Sequence, residues 1–264
     1  MRTDPRRVIA MVGCAVALAI NSAPPPAATT AGTVRVTGGQ LTFTAGAGAD
    51  NNVVITPLAN GLVDFRDVGA DLIAGDGCDQ ISASQANCHG VTSILADGRD
   101  GNDSIGVRET VFAPVAPTPA TLRGGSGDDQ LRGGSGADVL DGGPGADTLV
   151  GGTGVDTVTY AGRTAPVVAD PDGTRFDDGE AKERDTIELD VENLVGGSAA
   201  DHLSGNDAAN RLLGSAGGDY LYGLGGTDRL EGQSGFDHLD GGYDSDVCVP
   251  GPDGASTNSC EIVL

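Results

Sequence analysis

Apolar and polar side chains alternate along the first part of the chain. Five short runs between residues 33 and 97 follow this period of two: TVRV, LTFT, NVVIT, LVDF and VTSIL. Glycine, asparagine and aspartate separate the runs, and this combination favours short β-strands joined by turns. The next segment, residues 107–123, contains three prolines and predicts a loop or an irregular sheet edge.

From Gly124 the period changes to nine residues. Four units follow one another without a break: GGSGDDQLR, GGSGADVLD, GGPGADTLV and GGTGVDTVT. Six more begin at Gly196: GGSAADHLS, GNDAANRLL, GSAGGDYLY, GLGGTDRLE, GQSGFDHLD and GGYDSDVCV. Two isolated relatives precede the arrays, AGDGCDQIS from Ala74 and GRDGNDSIG from Gly98. Such a repeat indicates an architecture of stacked units.

Positions within the unit differ in character. Small residues, mostly glycine, occupy positions 1, 2 and 4, an aspartate occupies position 6, and an aliphatic residue occupies position 8. The glycines predict a turn and the last three residues a short strand. Neighbouring strand residues point to opposite faces, so position 8 should face inward while positions 7 and 9 face water. A single unit cannot bury its aliphatic side chain alone, but stacked units would form a continuous ladder.

The same stacking would bring successive position-6 carboxylates together, where they repel one another. A hard divalent cation removes that repulsion, and Ca²⁺ takes about six to eight oxygen ligands from carboxylates and carbonyls. A glycine-rich turn with one aspartate supplies both kinds of oxygen. Mg²⁺ fits an all-protein cage less well, and Zn²⁺ prefers the histidine and cysteine that the repeat pattern lacks. The spacing therefore predicts calcium sites.

These units resemble RTX (hemolysin-type) calcium-binding nonapeptide repeats, GGxGxDxUx with U aliphatic. They also resemble the C-terminal domain of serralysin-type proteases, and the chain resembles exported actinobacterial-type calcium-binding proteins. The resemblance implies an all-β fold: a right-handed parallel β-roll with two units per coil, preceded by a short-stranded β region. The metal ligands that it implies are Gly125, Gly127, Asp129, Gly134, Gly136, Asp138, Gly143, Gly145, Asp147, Gly152, Gly154, Asp156, Asp201, Gly217, Asp219, Gly226, Asp228, Gly235, Asp237 and Asp246.

In the family's fold, the loops of units n and n+2 hold each Ca²⁺ between them. The implied pairs, up to about six sites, are Asp129–Asp147, Asp138–Asp156, Asp201–Asp219, Asn210–Asp228, Asp219–Asp237 and Asp228–Asp246. Asn210 replaces the ligand aspartate, so its site should be weak or empty. Ala199 and Ala208 replace position-4 glycines. Asp244 does so in the last unit, which predicts a distorted final turn.

The two isolated units leave two interpretations open. Asp79 and Asp103 either bind a cation or lie in β-roll turns without a complete site, and the second interpretation is favoured. For the aspartates of the arrays, a merely solvated acidic surface is the alternative to metal binding. Surface charge has no reason to keep a nine-residue register, so the alternative is disfavoured.

Composition and charge exclude several partners. The formal net charge is −23, with 38 acidic and 15 basic residues, which argues against binding to nucleic acid or to an anionic membrane surface. Tryptophan is absent and aromatic residues make up 3% of the chain, so a conventional core of large side chains is not expected.

The N-terminus and the cysteines predict export. Three arginines precede the apolar stretch 8–20, which is too short to span a bilayer, and small residues and prolines follow it. We expect a signal peptide cleaved between Ser22 and Ala31 and no membrane span. Four further cysteines in an exported chain suggest disulfides. Of the three connectivities, local pairing as Cys78–Cys88 and Cys248–Cys260 is favoured, and the second bond would cap the end of the roll.

The segment between the arrays, residues 160–195, is rich in acidic residues. Paired carboxylates can perform acid–base catalysis, but a β-excursion with a solvated acidic loop is the favoured interpretation, and this loop, which includes Asp185, is a candidate for a further cation site. The sequence has no HExxH, GxSxG, P-loop or EF-hand pattern, so no enzyme activity is expected.

The sequence thus predicts a secreted calcium-binding protein with a structural or cell-surface role, whose surface or cell-wall ligand is unknown. Two alternatives stay open: a hydrolase with catalytic residues in the insert, and a type I-secretion-like module with its signal at the C-terminus. The expected divisions are a signal peptide and linker (1–31), a strand-rich region (32–123), a first array (124–159), an acidic insert (160–195) and a second array with a disulfide cap (196–264).

Overall fold

The computed structural model describes residues 31–109 and 115–264. Every regular element in these residues is a β-strand, apart from one 3-10 turn, Ala59–Gly61. The predicted all-β class is confirmed. Except for Ala31, the predicted signal peptide and linker lie outside the described residues. None of the described segments forms a helix with the length and apolar character needed to cross a membrane.

Eight strands form the N-terminal region, and five of them, β1 to β4 and β8, coincide with the five runs of the alternating pattern. They are β1 (Gly32–Thr37), β2 (Gln40–Thr44), β3 (Asn52–Pro57), β4 (Val63–Asp67), β5 (Leu72–Ala74), β6 (Cys78–Ser82), β7 (Gln85–Cys88) and β8 (Ser93–Asp97). Hairpins β1–β2, β3–β4 and β6–β7 are antiparallel. Phe43 and Phe65 meet in their core with ring centroids 4.9 Å apart. Cys78 and Cys88 face each other across β6 and β7 and form a disulfide.

Beyond β8 nearly all strand pairings are parallel. The strands are β9 (Ser104–Val107), β10 (Ala120–Arg123), β11 (Gln130–Gly136), β12 (Val139–Asp141), β13 (Thr148–Gly154), β14 (Thr157–Thr159), β15 (Val167–Ala169), β16 (Gly179–Glu180), β17 (Thr186–Ile187), β18 (Asn193–Val195), β19 (His202–Ser204), β20 (Arg211–Ala216), β21 (Tyr220–Tyr222), β22 (Arg229–Ser234), β23 (Asp237–Asp240), β24 (Val247–Val249), β25 (Ala255–Asn258) and β26 (Ile262–Val263). Successive strands alternate between two faces, as a β-roll requires.

Strand β10 contradicts one expectation. Residues 107–123 were predicted to form only a loop or an irregular edge, yet β10 pairs with β8 on one side and β12 on the other. All three prolines of the segment precede Ala120, so none of them removes a hydrogen bond from the strand ladder. The prolines therefore mark the approach to the strand rather than its absence.

Three sheets make up the two faces of the roll. The 12-stranded sheet has the order β26-β24-β22-β20-β18-β14-β12-β10-β8-β2-β1-β5. The other strands form an 8-stranded sheet, β17-β13-β11-β9-β3-β4-β7-β6, and a 6-stranded sheet, β16-β15-β19-β21-β23-β25. The N-terminal strands thus belong to the same sheets as the repeats.

The position-8 residues fill the interior as one ladder. Leu131 lies opposite Leu149, and Leu212 lies opposite Leu230, so neighbouring strands are 18 residues apart and each coil contains two units. The position-8 residues of both arrays are almost completely buried. Cys248 takes the inward position in the last unit and is bonded to Cys260.

The acidic insert forms one enlarged coil between the arrays. Its strand β17 pairs with β13 of the first array, while β15 pairs with β19 of the second. An antiparallel bridge between Asp178 and Asp185 links the two halves of the insert. On the opposite face β14 pairs directly with β18, so the 12-stranded sheet passes the insert without a break.

Candidate metal centre

The position-6 residues form ladders along the edges of the sheets. All ten are buried, and six of them donate their backbone N–H to the side chain of the position-6 residue 18 positions later. The structure brings together all six predicted pairs: Asp129–Asp147 (2.8 Å), Asp138–Asp156 (2.9 Å), Asp201–Asp219 (2.9 Å), Asn210–Asp228 (2.8 Å), Asp219–Asp237 (3.0 Å) and Asp228–Asp246 (2.8 Å). One carboxylate oxygen of each acceptor, Oδ1, is satisfied in this way.

The second carboxylate oxygen has no such partner. Eight array aspartates, all buried, keep an Oδ2 without any hydrogen-bond partner: Asp129, Asp138, Asp147, Asp156, Asp219, Asp228, Asp237 and Asp246. A buried, unpaired carboxylate oxygen costs folding free energy, and native structures rarely tolerate a series of them. A hard cation is the partner that such oxygens select, so the donor set fits Ca²⁺.

The first glycine of each unit shapes this space. A methyl group on Gly124 would lie less than 3.0 Å from Asp129 Oδ2 and from the carbonyl oxygen of Gly142, the first glycine of the next loop. Gly133 and Gly223 show the same arrangement with Asp138 and Asp228. None of the ten position-1 glycines, all of which the structure describes, has a positive φ. Glycine is therefore required at position 1 by close approach rather than by backbone conformation.

The predicted glycine ligands at positions 2 and 4 have a different constraint. Gly125, Gly127, Gly134, Gly143, Gly145, Gly152, Gly154, Gly217, Gly226 and Gly235 all have positive φ, whereas Gly136 does not. Their carbonyls point at the next loop: a methyl group on Gly143 would overlap the carbonyl oxygen of Gly125, and one on Gly145 that of Gly127. The carbonyl oxygens at positions 1, 2 and 4 thus line the space between stacked loops. The sequence pattern did not single out the position-1 carbonyls.

Burial makes the charged form of these carboxyls unfavourable. It raises the pKa of Asp147 to about 8, and neighbouring Asp185 and Asp129 add to the rise. Burial likewise raises the pKa of Asp228 to about 7 and that of Asp129 to about 6. Ionised carboxylates in these positions need a nearby positive charge, and none of the predicted pairs contains a basic side chain.

Comparison with known families identifies the repeats. The family model for the RTX calcium-binding nonapeptide repeat matches in four copies, over residues 123–158, 190–221 and 222–253. The chain carries RTX calcium-binding repeats. Such repeats bind Ca²⁺. No curated protein matches the chain, so the resemblance to serralysin-type and exported actinobacterial-type proteins stays a prediction.

The RTX ladders extend beyond the position-6 residues of the two arrays. Asp103 and Asp147 donate their backbone N–H groups to Asp129 Oδ1 (2.7 Å) and Asp185 Oδ1 (3.0 Å). Asp156 and Asp246 donate to Glu192 Oε2 (2.8 Å) and Glu261 Oε2 (2.6 Å). Glu192 and Glu261 were not predicted, because the segments before them lack the glycine pattern of the unit, whereas Asp185 belongs to the insert, for which a further cation site was considered.

Asp103 shares every feature of the array aspartates. It is buried, its Oδ2 is unpaired, and a methyl group on Gly98 would overlap both that oxygen and the carbonyl of Gly124. The loop before it stacks in the same way, since Asn51 donates its backbone N–H to Asp103 Oδ1 at 2.6 Å. The structure thus places Asp103 in an RTX-like loop with the geometry of a complete site.

Asp79 behaves differently, and the prediction that its unit forms a β-roll turn is wrong. It lies in the β6–β7 hairpin, where its exposed carboxylate pairs with His89 at 2.9 Å. Its position-8 equivalent, Ile81, is 52% exposed. The Cys78–Cys88 disulfide and the antiparallel pairing fix this segment as a hairpin, so the unit has no loop to stack on.

Asn210 satisfies its side chain without a cation. Its Oδ1 accepts the N–H of Asn206, and its Nδ2 donates to Glu192 O (2.8 Å) and Asn206 Oδ1 (3.0 Å). The loop that carries Asn210 is stacked between the loops of Glu192 and Asp228, and its side chain is held by amide hydrogen bonds.

A guanidinium group joins the two arrays. Arg163 donates to the carbonyl of Gly143, a position-2 oxygen in the third unit of the first array, and forms a partly buried ion pair with Glu183 at 3.2 Å. Its own carbonyl accepts the N–H of Ser198 in the second array at 3.0 Å. The Arg163 guanidinium cation thus contacts an RTX loop carbonyl where the two arrays join.

No group of three or more Asp, Glu, His or Cys side chains within the described residues is arranged to hold a metal. This agrees with the RTX geometry, because each loop pair offers two side-chain carboxylates and the remaining ligands are backbone carbonyls.

Proposed function

We propose that this chain is an exported structural protein whose RTX arrays fold when Ca²⁺ binds between their stacked loops. The observation that carries the proposal is the series of buried Oδ2 atoms without partners, one in nearly every unit. Such a series has no function in a cation-free roll, where each member destabilises the fold.

The residues that would hold the ions follow from the stacking. Each site combines two position-6 carboxylates from successive loops with carbonyl oxygens from positions 1, 2 and 4. The complete pairs are Asp103–Asp129, Asp129–Asp147, Asp138–Asp156, Asp201–Asp219, Asp219–Asp237 and Asp228–Asp246. Bound Ca²⁺ supplies the positive charge that offsets carboxylate repulsion and burial. Asn210 is self-satisfied, which supports a weak or empty site at its pair.

Export is supported by the two disulfides, which form in oxidising compartments outside the cytosol. RTX repeats are typical of extracellular proteins as well. The signal peptide predicted at the N-terminus is consistent with this route. A surface-associated role follows as the simplest use of a calcium-stabilised roll.

The insert carboxylates support a structural rather than an enzymatic role. Asp178 accepts backbone N–H groups from Asp170 (2.8 Å) and Ile187 (2.9 Å), and Asp185 accepts from Asp147 and from the Tyr160 hydroxyl (3.1 Å). Both oxygens of each carboxylate are thus engaged in holding the insert. A catalytic acid or base needs an oxygen free to exchange a proton with a substrate.

Calcium titration of the mature protein tests the proposal. Far-UV circular dichroism should change from largely disordered to β-rich on replacing EGTA by calcium, and isothermal titration should report about six ions. The Asp103→Asn variant should lose one ion, whereas the matched Asp79→Asn variant should lose none. Identical spectra in EGTA and calcium would overturn the coupling of folding to binding, and an unchanged count for Asp103→Asn would remove that site.

A further inference from the structure

Four aromatic rings meet on the outward face of the 6-stranded sheet. His202 on β19 and His238 on β23 each contact both tyrosines of β21 between them. The centroid distances are His202–Tyr220 5.1 Å, His202–Tyr222 5.4 Å, Tyr220–His238 5.7 Å and Tyr222–His238 5.8 Å. We call these four residues the aromatic platform.

The repeat geometry creates the platform. Parallel pairing places His202 opposite Tyr220 and Tyr220 opposite His238, all at position 7, while Tyr222 follows at position 9. The inward positions of the same strands are filled by Leu203, Leu221 and Leu239, which are fully buried. The rings therefore add nothing to the core, and Tyr220 is 48% exposed.

The composition of the chain makes this concentration of rings unusual. The sequence has no Trp, four Tyr and three His. Two of the tyrosines and two of the histidines lie together on this outward face, where His202 and Tyr220 are exposed and Tyr222 and His238 are half-buried. In the other units, position 7 is occupied by Gln, Thr, Arg or Val. Scattered exposed apolar residues need no explanation, but a contiguous exposed patch indicates a binding surface.

The surroundings of the platform are polar but nearly uncharged. Outward positions beside the rings hold Ser204, Asp240, Ser256 and Asn258. Ser256 Oγ lies 2.7 Å from His238 Nδ1, and Asn258 Nδ2 donates to Asp240 Oδ2 at 2.8 Å. The only charge at the outward positions of β19, β21, β23 and β25 is therefore already hydrogen-bonded. The outward positions of these strands thus carry a single acid on a chain of net charge −23, and the exposed Val168 lies opposite His202 on β15.

We propose that the aromatic platform binds an uncharged polysaccharide. Sugar rings have an apolar face of C–H groups that stacks on exposed aromatic rings, and their hydroxyls need hydrogen-bonding partners at the rim, which Ser256, Asn258 and Ser204 provide. Anionic polymers would be repelled by the acidic chain, and the platform carries no clustered acids to attract cationic ones. A stable protein interface needs on the order of 1,000 Å² or more, which four rings do not supply.

This inference rests on the proposed function, because the platform strands belong to the second RTX array and exist only when that array is folded. The test must therefore separate loss of the platform from loss of the fold. Calcium stoichiometry provides the separation, since platform side chains point away from the loops.

Affinity electrophoresis through gels containing soluble starch, a soluble β-1,3-glucan, hydroxyethyl cellulose or galactomannan tests the proposal, in calcium buffer. Retardation by at least one of these polymers is expected, and the dissociation constant should rise about tenfold or more in the Tyr220→Ala, Tyr222→Ala variant. The matched control is Tyr243→Ala, because Tyr243 is 82% exposed and lies in the loop before β24, outside the platform. Its affinity should stay within about twofold of the parent protein.

Calcium counts should equal that of the parent protein in all variants. The proposal is overturned if none of the four polymers retards the protein, or if the control loses affinity as much as the platform variant. It is also overturned if sedimentation shows a dimer that the platform variant alone abolishes, since a second copy would then be the occupant. A variant that binds fewer calcium ions than the parent protein but is retarded as strongly by the polymer would instead count against the proposed RTX function, because the platform would then not depend on the calcium-loaded array.

Discussion

The N-terminal strands and the RTX coils share continuous sheets but differ in what their interiors contain. The first region packs Phe43 against Phe65 and closes a hairpin with the Cys78–Cys88 disulfide. The coils bury one position-8 side chain per unit, together with carboxylates whose Oδ2 atoms mostly have no hydrogen-bond partner. On the proposed function, the coils therefore depend on a cation from solution to fold, whereas the first region relies mainly on apolar packing and a disulfide.

This difference implies that a single chain combines an unconditional and a conditional fold. The strands of the first region provide sheet edges onto which the coils can stack, because β8 pairs with β10 and β3 pairs with β9. Growth of the roll from that edge requires only that each new coil receive its ions.

Removal of calcium should have the largest effect. In EGTA, backbone amides in 124–159 and 196–249 should lose hydrogen-exchange protection, whereas those of 33–97 should keep most of theirs. The reason is that buried carboxylates with an unpaired oxygen are concentrated in the coils, whereas residues 33–97 contain one, Asp67. Exchange measured by mass spectrometry with and without calcium decides this, and equal loss in both regions would contradict the comparison.

Replacement of a single array carboxylate should have the second-largest effect. The Asp147→Asn variant keeps the Oδ1 acceptor for Asp129 but loses a charge shared by two loop pairs, so calcium-loaded stability should fall by about 1–3 kcal/mol. Urea denaturation in calcium measures the change. The control Asp64→Asn alters an acid that pairs with Arg66 in the N-terminal region, and it should cost less than about 1 kcal/mol. If Asp64→Asn lowered stability more than Asp147→Asn, the assignment of Asp147 to a calcium site would be wrong.

Lower pH should stabilise the folded state of the calcium-free coils. Burial raises the pKa of Asp147 to about 8 and that of Asp228 to about 7, against about 4 in an unfolded chain. Folding therefore takes up protons, so the calcium-free coils should gain stability as pH falls from 8 towards 4 and lose it as pH rises. Calcium affinity should change in the opposite direction, because protons compete for the same oxygens. Thermal scans in EGTA and calcium titrations across this range test both signs.

The smallest effect expected concerns two adjacent positions of one loop. Leu224 occupies position 2 with φ 73°, a conformation that costs a leucine about 1 kcal/mol, so Leu224→Gly should be stabilising by roughly that amount. Gly223→Ala should be destabilising, because its methyl group would overlap Asp228 Oδ2 and the carbonyl of Gly241. Melting temperatures in calcium should move in opposite directions, and a shift in the same direction would contradict the distinction between the two positions.

Much of the roll could be predicted because its information is periodic. The nine-residue register fixes which side chains face inward, and the resemblance supplies the 18-residue stacking that joins Asp129 to Asp147. The strand β10, by contrast, has no unit pattern. It is recruited by the free edges of β8 and β12, which a local pattern does not reveal.

The ends of the acid ladders were missed for a similar reason. Glu192 and Glu261 reach the backbone of Asp156 and Asp246 from segments without glycine-rich turns, so only the folded coil brings them into place. Asp79 shows the converse error: it has the residues of a unit, but its disulfide-linked hairpin removes the neighbour on which a loop would stack.

The close approach of each carboxylate to the first glycine of its unit also bears on how such repeats diverge. Position 2 has changed to Arg99, Ser215, Leu224 and Gln233, which keep φ between 69° and 78°, and to Asn206, which does not have a positive φ, whereas position 1 is glycine in all ten array units. A reduced signature follows: glycine, then Asp or Asn five residues later, then an aliphatic residue two further on. It recovers the two stacked loops that precede the family match, Gly98-Asp103-Ile105 and Gly46-Asn51-Val53, and it rejects the hairpin at Ala74. Degenerate coils in other sequences can be recognised by this minimal spacing after the familiar glycine pairs have been lost.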